Sequence, residues 1–223
     1  MKGRKIEFSL KNITFYLLGF VIIGLGVNFM NSADLGVGAW DTVTINGRYL
    51  FNNVLHLEWV TIGMVSALTS TIIMLAVLIY RKDIVFLFML IPIFLMGSVI
   101  DFWNIIVFDN YIESVIIIQV LFYFLGIIAI PLGLSFIVKS NFPAFVFEEW
   151  TFMMSEITKK SFQVTRLIIE ITGLTIGSII GYLTFFQTEG HIGVVSFGSI
   201  IFAFTIGPTL QFFLKVLKVK NNG

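Results

Sequence analysis

Long apolar runs alternate with polar breaks along nearly the whole chain. Six runs reach the length of about 20 residues that a helix needs to cross roughly 30 Å of hydrocarbon. They are Ile13 to Met30, Trp59 to Tyr80, Ile84 to Val107, Val115 to Val138, Val164 to Phe186 and Gly193 to Val216. The pattern predicts an all-α, polytopic membrane protein with six transmembrane helices. Three of the breaks are short turns. The other two, Asn31 to Glu58 and Lys139 to Gln163, are long connections with apolar content of their own.

Those two connections begin alike. Ser32-Ala33-Asp34-Leu35-Gly36-Val37-Gly38-Ala39-Trp40-Asp41 follows the first run, and Ser140-Asn141-Phe142-Pro143-Ala144-Phe145-Val146-Phe147-Glu148-Glu149 follows the fourth. Each joins a helix breaker to apolar residues and then to a carboxylate. Phe142 to Phe147 would be an aggregation hazard in water and has to be covered. Each connection is expected to dip back into the protein or to lie along the interface, because irregular backbone is tolerated at membrane depth only where protein or a wet cavity satisfies it. Gly36 and Gly38 permit backbone conformations or close approaches that a side chain would forbid, and Pro143 breaks the helix by removing a donor.

Three helices before the short break near residue 110 and three after it suggest a 3+3 inverted repeat, residues 1–110 and 111–223, forming one membrane domain. Its echoes are Asp41 with Glu149, Glu58 with Arg166, and Gly97-Ser98-Val99-Ile100-Asp101 with Gly207-Pro208-Thr209-Leu210-Gln211. Interrupted segments at matching places in two such halves point to a binding site where the halves meet.

Composition agrees with the bilayer reading. The 223 residues are 57% hydrophobic and 12% charged, with a mean hydropathy of +0.98. The formal net charge of +1 gives no sign of a nucleic-acid partner, and the absence of cysteine excludes disulfides, thiolate metal sites and a Cys nucleophile. With the N-terminus inside, thirteen of the fourteen Lys and Arg residues fall on the cytoplasmic side and only Arg48 lies outside. Both termini are therefore expected to be cytoplasmic. Trp40, Trp59, Trp103 and Trp150 all fall at the ends of predicted helices, where an indole can keep its N–H in the headgroups.

The candidate site residues are Asp41, Trp40, Gly36, Gly38, Asp101, Glu149, Arg166 and Glu170. A carboxylate after a helix break can bind a cation, take up a proton or cap the next helix; Asp41 and Glu149 lead on that ground, with Glu148 expected to face the headgroups and Asp34 to be a turn residue. Glu170 lies inside the fifth run, where an ionisable group usually faces the bundle interior, and Arg166 is placed to neutralise it at (i, i+4). Asp101 is the corresponding candidate near the outer end of the third run. Asn28, Gln119, Ser135 and Thr205 read as glue between helices, and Gly173, Gly177 and Gly181 as a small-residue stripe for close packing within the bundle or between protomers. His56 and His191 fall outside the runs. No metal site, cofactor or catalytic motif is expected, and the Glu148-Glu149 pair lacks the arginine that CAAX-type intramembrane proteases place after theirs.

Ala33 to Asp41, Ile100-Asp101-Phe102-Trp103, and Gly190-His191-Ile192-Gly193 leading to Ile206-Gly207-Pro208 resemble the YczE/YyaS-like bacterial integral membrane proteins, distantly similar to the YitT group. The resemblance covers most of the chain and implies a bacterial cytoplasmic-membrane protein. Members are usually regarded as transporters, and some are linked to secondary-metabolite production as accessory proteins. Two functions are thus expected: a small secondary transporter with its site between two halves, or a non-transporting subunit that stabilises or localises a partner. The expected partners are the lipid bilayer, a small molecule or ion, and a second copy or another membrane protein.

Overall fold

A computed structural model of the chain describes residues 9–140, 142 and 145–218, the side chains of residues 85, 187 and 188 apart. Lys2, Arg4, Lys5 and Lys220 of the charge pattern, and Asn141, Pro143 and Ala144 of the second connection, lie outside the described residues. The described residues form eight α-helices: α1 (Leu10–Ala33), α2 (Ala39–Tyr49), α3 (Ile62–Arg81), α4 (Leu90–Asp101), α5 (Ile116–Lys139), α6 (Val146–Thr158), α7 (Phe162–Glu189) and α8 (Phe197–Val216). A 3₁₀ turn before α4 and a wider π-helical turn after it extend that helix to Phe86–Val107. Six helices are then long and apolar enough to cross a membrane, as the hydrophobic pattern predicts. The starts of the second and sixth runs shift inward by a turn. Trp59 and Val60 precede α3, whose first turn is capped by Thr61 accepting from the Met64 amide at 3.1 Å. Gly193, with φ +69°, belongs to the turn before α8.

The order is a long helix, a short one and two long ones, twice over. The leading helices α1 and α5 pack backbone to backbone. A Cβ on Gly133 would lie 2.6 Å from the Gly19 carbonyl oxygen, and one on Gly126 would lie 2.8 Å from that of Gly26. Pairing 19 with 133 and 26 with 126 makes the two helices antiparallel. Around their crossing Phe20, Ile23 and Val27 of α1 meet Ile127 and Ile130 of α5, Met96 and Ile100 of α4, and Phe202 and Ile206 of α8. Asn28 ties α1 to α4 through the Ile100 carbonyl at 3.2 Å. Ser135 and Thr205 bond instead to carbonyls of their own helices, and Gln119 to the Glu113 carbonyl.

The short helix α2 packs on α7, and α6 packs on α3. The glycine stripe of α7 is the seat of α2: Trp40 lies over Gly173, Thr42 over Gly177 and Asn46 over Gly181. The Asn46 side chain is fully buried, donating to the carbonyls of Gly177 (2.9 Å) and Ile192 (3.2 Å) and accepting from the Val194 amide (3.1 Å). On the opposite side Val146 and Met153 of α6 pack with Ala67, Met74 and Val77 of α3. Arg81, at the end of α3, forms a two-pronged ion pair with Glu156 of α6 at 2.6 and 2.9 Å. Both short helices therefore start half-way along the long helix they pack on and run to its end, α2 toward one face of the bundle and α6 toward the other. At their N-termini Trp40 meets Phe147 and Trp150, with ring centroids 5.1 and 5.3 Å apart.

Candidate functional site

The chain that enters α2 is stitched to α8. Gly36 has φ +116°, a left-handed conformation that disfavours any side chain, and a Cβ there would lie 2.6 Å from the Ser196 hydroxyl. The Leu35 carbonyl accepts from the Gly198 amide (3.1 Å) and from the Ser196 hydroxyl, and the Val37 amide donates to Ser199 Oγ (3.1 Å). These bonds fix where α2 begins. At the start of α6 the apolar run is covered by α1, with Phe142 against Tyr16 (5.1 Å) and Phe145 against Phe20 (5.8 Å).

Where the two short helices begin, a cavity of about 100 Å³ opens between them, and all eight helices contribute to its wall. Its polar groups are Asp41 and Thr44 of α2, Ser66, Thr69 and Ser70 of α3, Glu148 of α6, and Arg166 and Glu170 of α7. Its aromatic wall is Trp40, Phe145, Phe147 and Phe202.

Asp41 and Glu148 occupy equivalent places, each third in its helix after an N-cap residue that offers no capping side chain, Gly38 and Phe145. A carboxylate there faces the positive end of the helix dipole and the amides that have no intrahelical partner. Gly38 leaves room for Asp41 to fold back over the helix start; a Cβ on it would collide with Asp41 Oδ2. Opposite stands Arg166. It donates through Nε to Glu170 Oε1 at 2.8 Å and through Nη1 to Glu148 Oε1 at 3.2 Å, so one guanidinium serves two carboxylates. Glu170 is 3% exposed. The second oxygen of Glu148 is buried without a hydrogen-bond partner, and so is Nε1 of Trp40. Burial pushes the Asp41 carboxyl up to about 7, with the Glu170 charge adding to the effect. Burial also raises Glu148, against the pull of Arg166.

Of the residues singled out in the sequence, Trp40, Gly38, Asp41, Arg166 and Glu170 come together on this cavity. Three do not. Gly36 shapes the turn before α2. Asp101 accepts from the Thr61 hydroxyl (2.6 Å) and the Gly63 amide (2.8 Å), which makes it a cap on α3. Glu149 is buried, 7% exposed, but stands outside the cavity lining, near enough for its charge to act on Arg81. Its neighbour Glu148, expected among the headgroups, takes the cavity position instead. Nor does Trp40 put its N–H among headgroups, because the ring is wedged between α6 and α7. Asp34 ends α1 in a left-handed turn (φ 54°). The serine and threonine side chains of α3 join the site without having been among the sequence candidates. Their signal was Ser66, Thr69 and Ser70 at i, i+3 and i+4, one polar face on an otherwise apolar helix.

Residues 10–215 match the profile of a family of unknown function, DUF6198. Neither a curated protein nor a solved structure matches the chain.

Proposed function

We propose, for a chain that belongs to the DUF6198 family of unknown function, that it is a small secondary transporter whose site lies between two halves of opposite orientation. The observation that carries this reading is the central cavity, lined by charged groups and bordered by the starts of two short helices, α2 seated on α7 and α6 on α3. A subunit that serves only to hold a partner has no use for buried carboxylates at the meeting point of all its helices. Such groups are costly within a bilayer and mark ion or substrate paths. Antiparallel α1 and α5 at the head of two identical element orders support an inverted repeat, the architecture used for alternating access around a fixed site. In this reading α2 and α6 are re-entrant half-helices opening to opposite faces, and the excess of Lys and Arg puts both termini in the cytoplasm. The resemblance to YczE/YyaS-like bacterial membrane proteins supports the membrane setting and is compatible with either role.

The test is uptake. Growth and uptake profiling of a deletion strain is expected to reveal a solute whose movement is restored by the intact gene. Asp41→Asn is expected to fail to restore it while the protein is still found folded in the membrane. Full restoration by Asp41→Asn would remove Asp41 from the mechanism. A deletion phenotype confined to the stability of another membrane or biosynthetic protein would favour the accessory role.

A further inference from the structure

The cavity's charge balance identifies what it lacks. Asp41, Glu148 and Glu170 face a single guanidinium, Arg166, which is already bonded to both glutamates. Fully ionised, these four side chains sum to two negative charges. The N-termini of α2 and α6 each supply roughly half a positive charge, which leaves the cavity about one positive charge short. The hydrogen bonds tell the same story. Glu148 Oε2 has no donor, and among the described residues none donates to the Asp41 carboxylate. The unmet need is for N–H or O–H donors. Trp40 Nε1 is a buried donor on the lining without a partner.

The occupant's kind follows from geometry. Among the described residues no three His, Asp or Glu side chains come close enough to share a metal ion; Asp41, Glu148 and Glu170 border the space from three different helices. The rings of Trp40 and Phe147 line that space, and an aromatic face attracts an organic cation. At about 100 Å³ it is smaller than the ~150 Å³ cavity that admits benzene, which limits the occupant to a few non-hydrogen atoms.

We propose that the cavity takes a small organic cation bearing several N–H donors, a primary alkylammonium or guanidinium group, and releases the proton held on Asp41 in exchange. One charge enters and one leaves, so the buried site stays balanced. The groups facing Asp41 are Arg166 and Glu170 from α7 and Glu148 from α6. The cavity faces of α3 and α8 present Ser66, Thr69 and Ser70, and Phe202 and Ile206, none of which titrates in the range. This proposal rests on the transporter reading only for what the site is used for; binding itself is independent of flux.

The experiment measures the thermal unfolding of the purified protein in nanodiscs with ethylammonium, guanidinium, sodium, potassium or acetate salts at equal ionic strength. A pH-sensitive dye in weak buffer near pH 6 reports proton release. Ethylammonium and guanidinium are expected to raise Tm saturably at millimolar concentrations and to release close to one proton per cation bound. Asp41→Asn should lose the proton release, and Glu148→Gln should weaken binding at least tenfold while leaving proton release per bound cation intact. Equal stabilisation by sodium or potassium, stabilisation by acetate alone, or no organic-cation effect at millimolar concentrations would each overturn the proposal. Cation binding without flux in proteoliposomes would uphold it and sink the transporter reading. Flux of an anion or neutral solute without cation binding would do the reverse.

Discussion

Seating α2 on the glycine stripe of α7 makes a graded prediction about adding one carbon. At Gly173 a Cβ would lie 2.9 Å from Trp40 Cε2 and 3.2 Å from its Cδ1. To regain ordinary carbon contact near 3.5 Å, the ring has to retreat by more than about half an ångström. An indole can do so by tilting, and overpacking costs begin at about 1 kcal/mol. At Gly177 the new atom would lie 2.7 Å from Thr42 Cβ and 3.1 Å from its backbone carbon, so α2 itself has to move. At Gly181 it would lie 2.6 Å from both the Ile192 carbonyl carbon and Asn46 Nδ2, disturbing the amide that ties α2, α7 and the loop before α8. Gly177→Ala and Gly181→Ala are therefore expected to cost about 3 kcal/mol each, and Gly173→Ala about a third of that. Gly207 is the control: nothing lies within 4 Å of its Cβ position, so Gly207→Ala should stabilise α8 by up to about 1 kcal/mol through helix propensity alone. Denaturant unfolding in nanodiscs reads the series directly. Thr42→Gly should recover much of the loss in Gly177→Ala, because it removes the atoms that collide. Equal effects at Gly177 and Gly207, or no rescue by Thr42→Gly, would refute the seating of α2.

Two further outcomes follow from the cavity. Burial raises Asp41 from 3.8 to about 7 in the folded protein, so the folded state keeps a proton that the unfolded chain releases. Stability present below about pH 4 is lost as pH rises to 7 and then stays level, at ~1.4 kcal/mol per pKa unit on the order of 4 kcal/mol. Asp41→Asn should accordingly unfold at higher temperature than the parent at pH 8, with less than half of that advantage at pH 5; a less stable variant at pH 8 would contradict the assignment. Replacing Arg166 by Met leaves Glu148 and Glu170 buried without a counter-charge and is expected to cost about 3–5 kcal/mol. Adding Glu148→Gln and Glu170→Gln should return most of it, whereas a triple variant no more stable than the single one would show that the three groups do not act as a unit.

The long helices were legible because 20 residues of Ile, Leu and Phe leave a chain few other places to go. Arg166 and Glu170 were legible because charges inside such a run are rare enough to be conspicuous. The short helices were harder. Ala39–Tyr49 mixes Asp, Thr, Asn, Gly and Arg with apolar residues, and without its seat on α7 nothing in that composition separates a buried helix from a surface one. Glu148 and Glu149 differ by about 100° around α6. The choice between them depends on where the helix starts, and the residues before it are a Pro-containing run with no clear phase. Trp40 misled for a related reason. An indole at a helix end usually sits at the membrane interface, and only the missing side chain at Gly173, far along the chain, shows that this one has a slot in the interior. The slot for Trp40 is a contact between residues far apart in the chain, which no local pattern records.

The seating of α2 on α7 and of α6 on α3 also constrains how the protein is made. The bond from Asn46 to the Gly177 carbonyl spans 131 residues, so α2 emerges from the ribosome well before the surface it needs. Until α7 is inserted, α2 has neither its glycine bed nor partners for Asn46, and α3 in turn waits for α6. Closure of the bundle is accordingly a late, long-range event of the kind that slows folding, and an interrupted or split chain leaves an amphipathic helix bare for chaperones and membrane proteases to find.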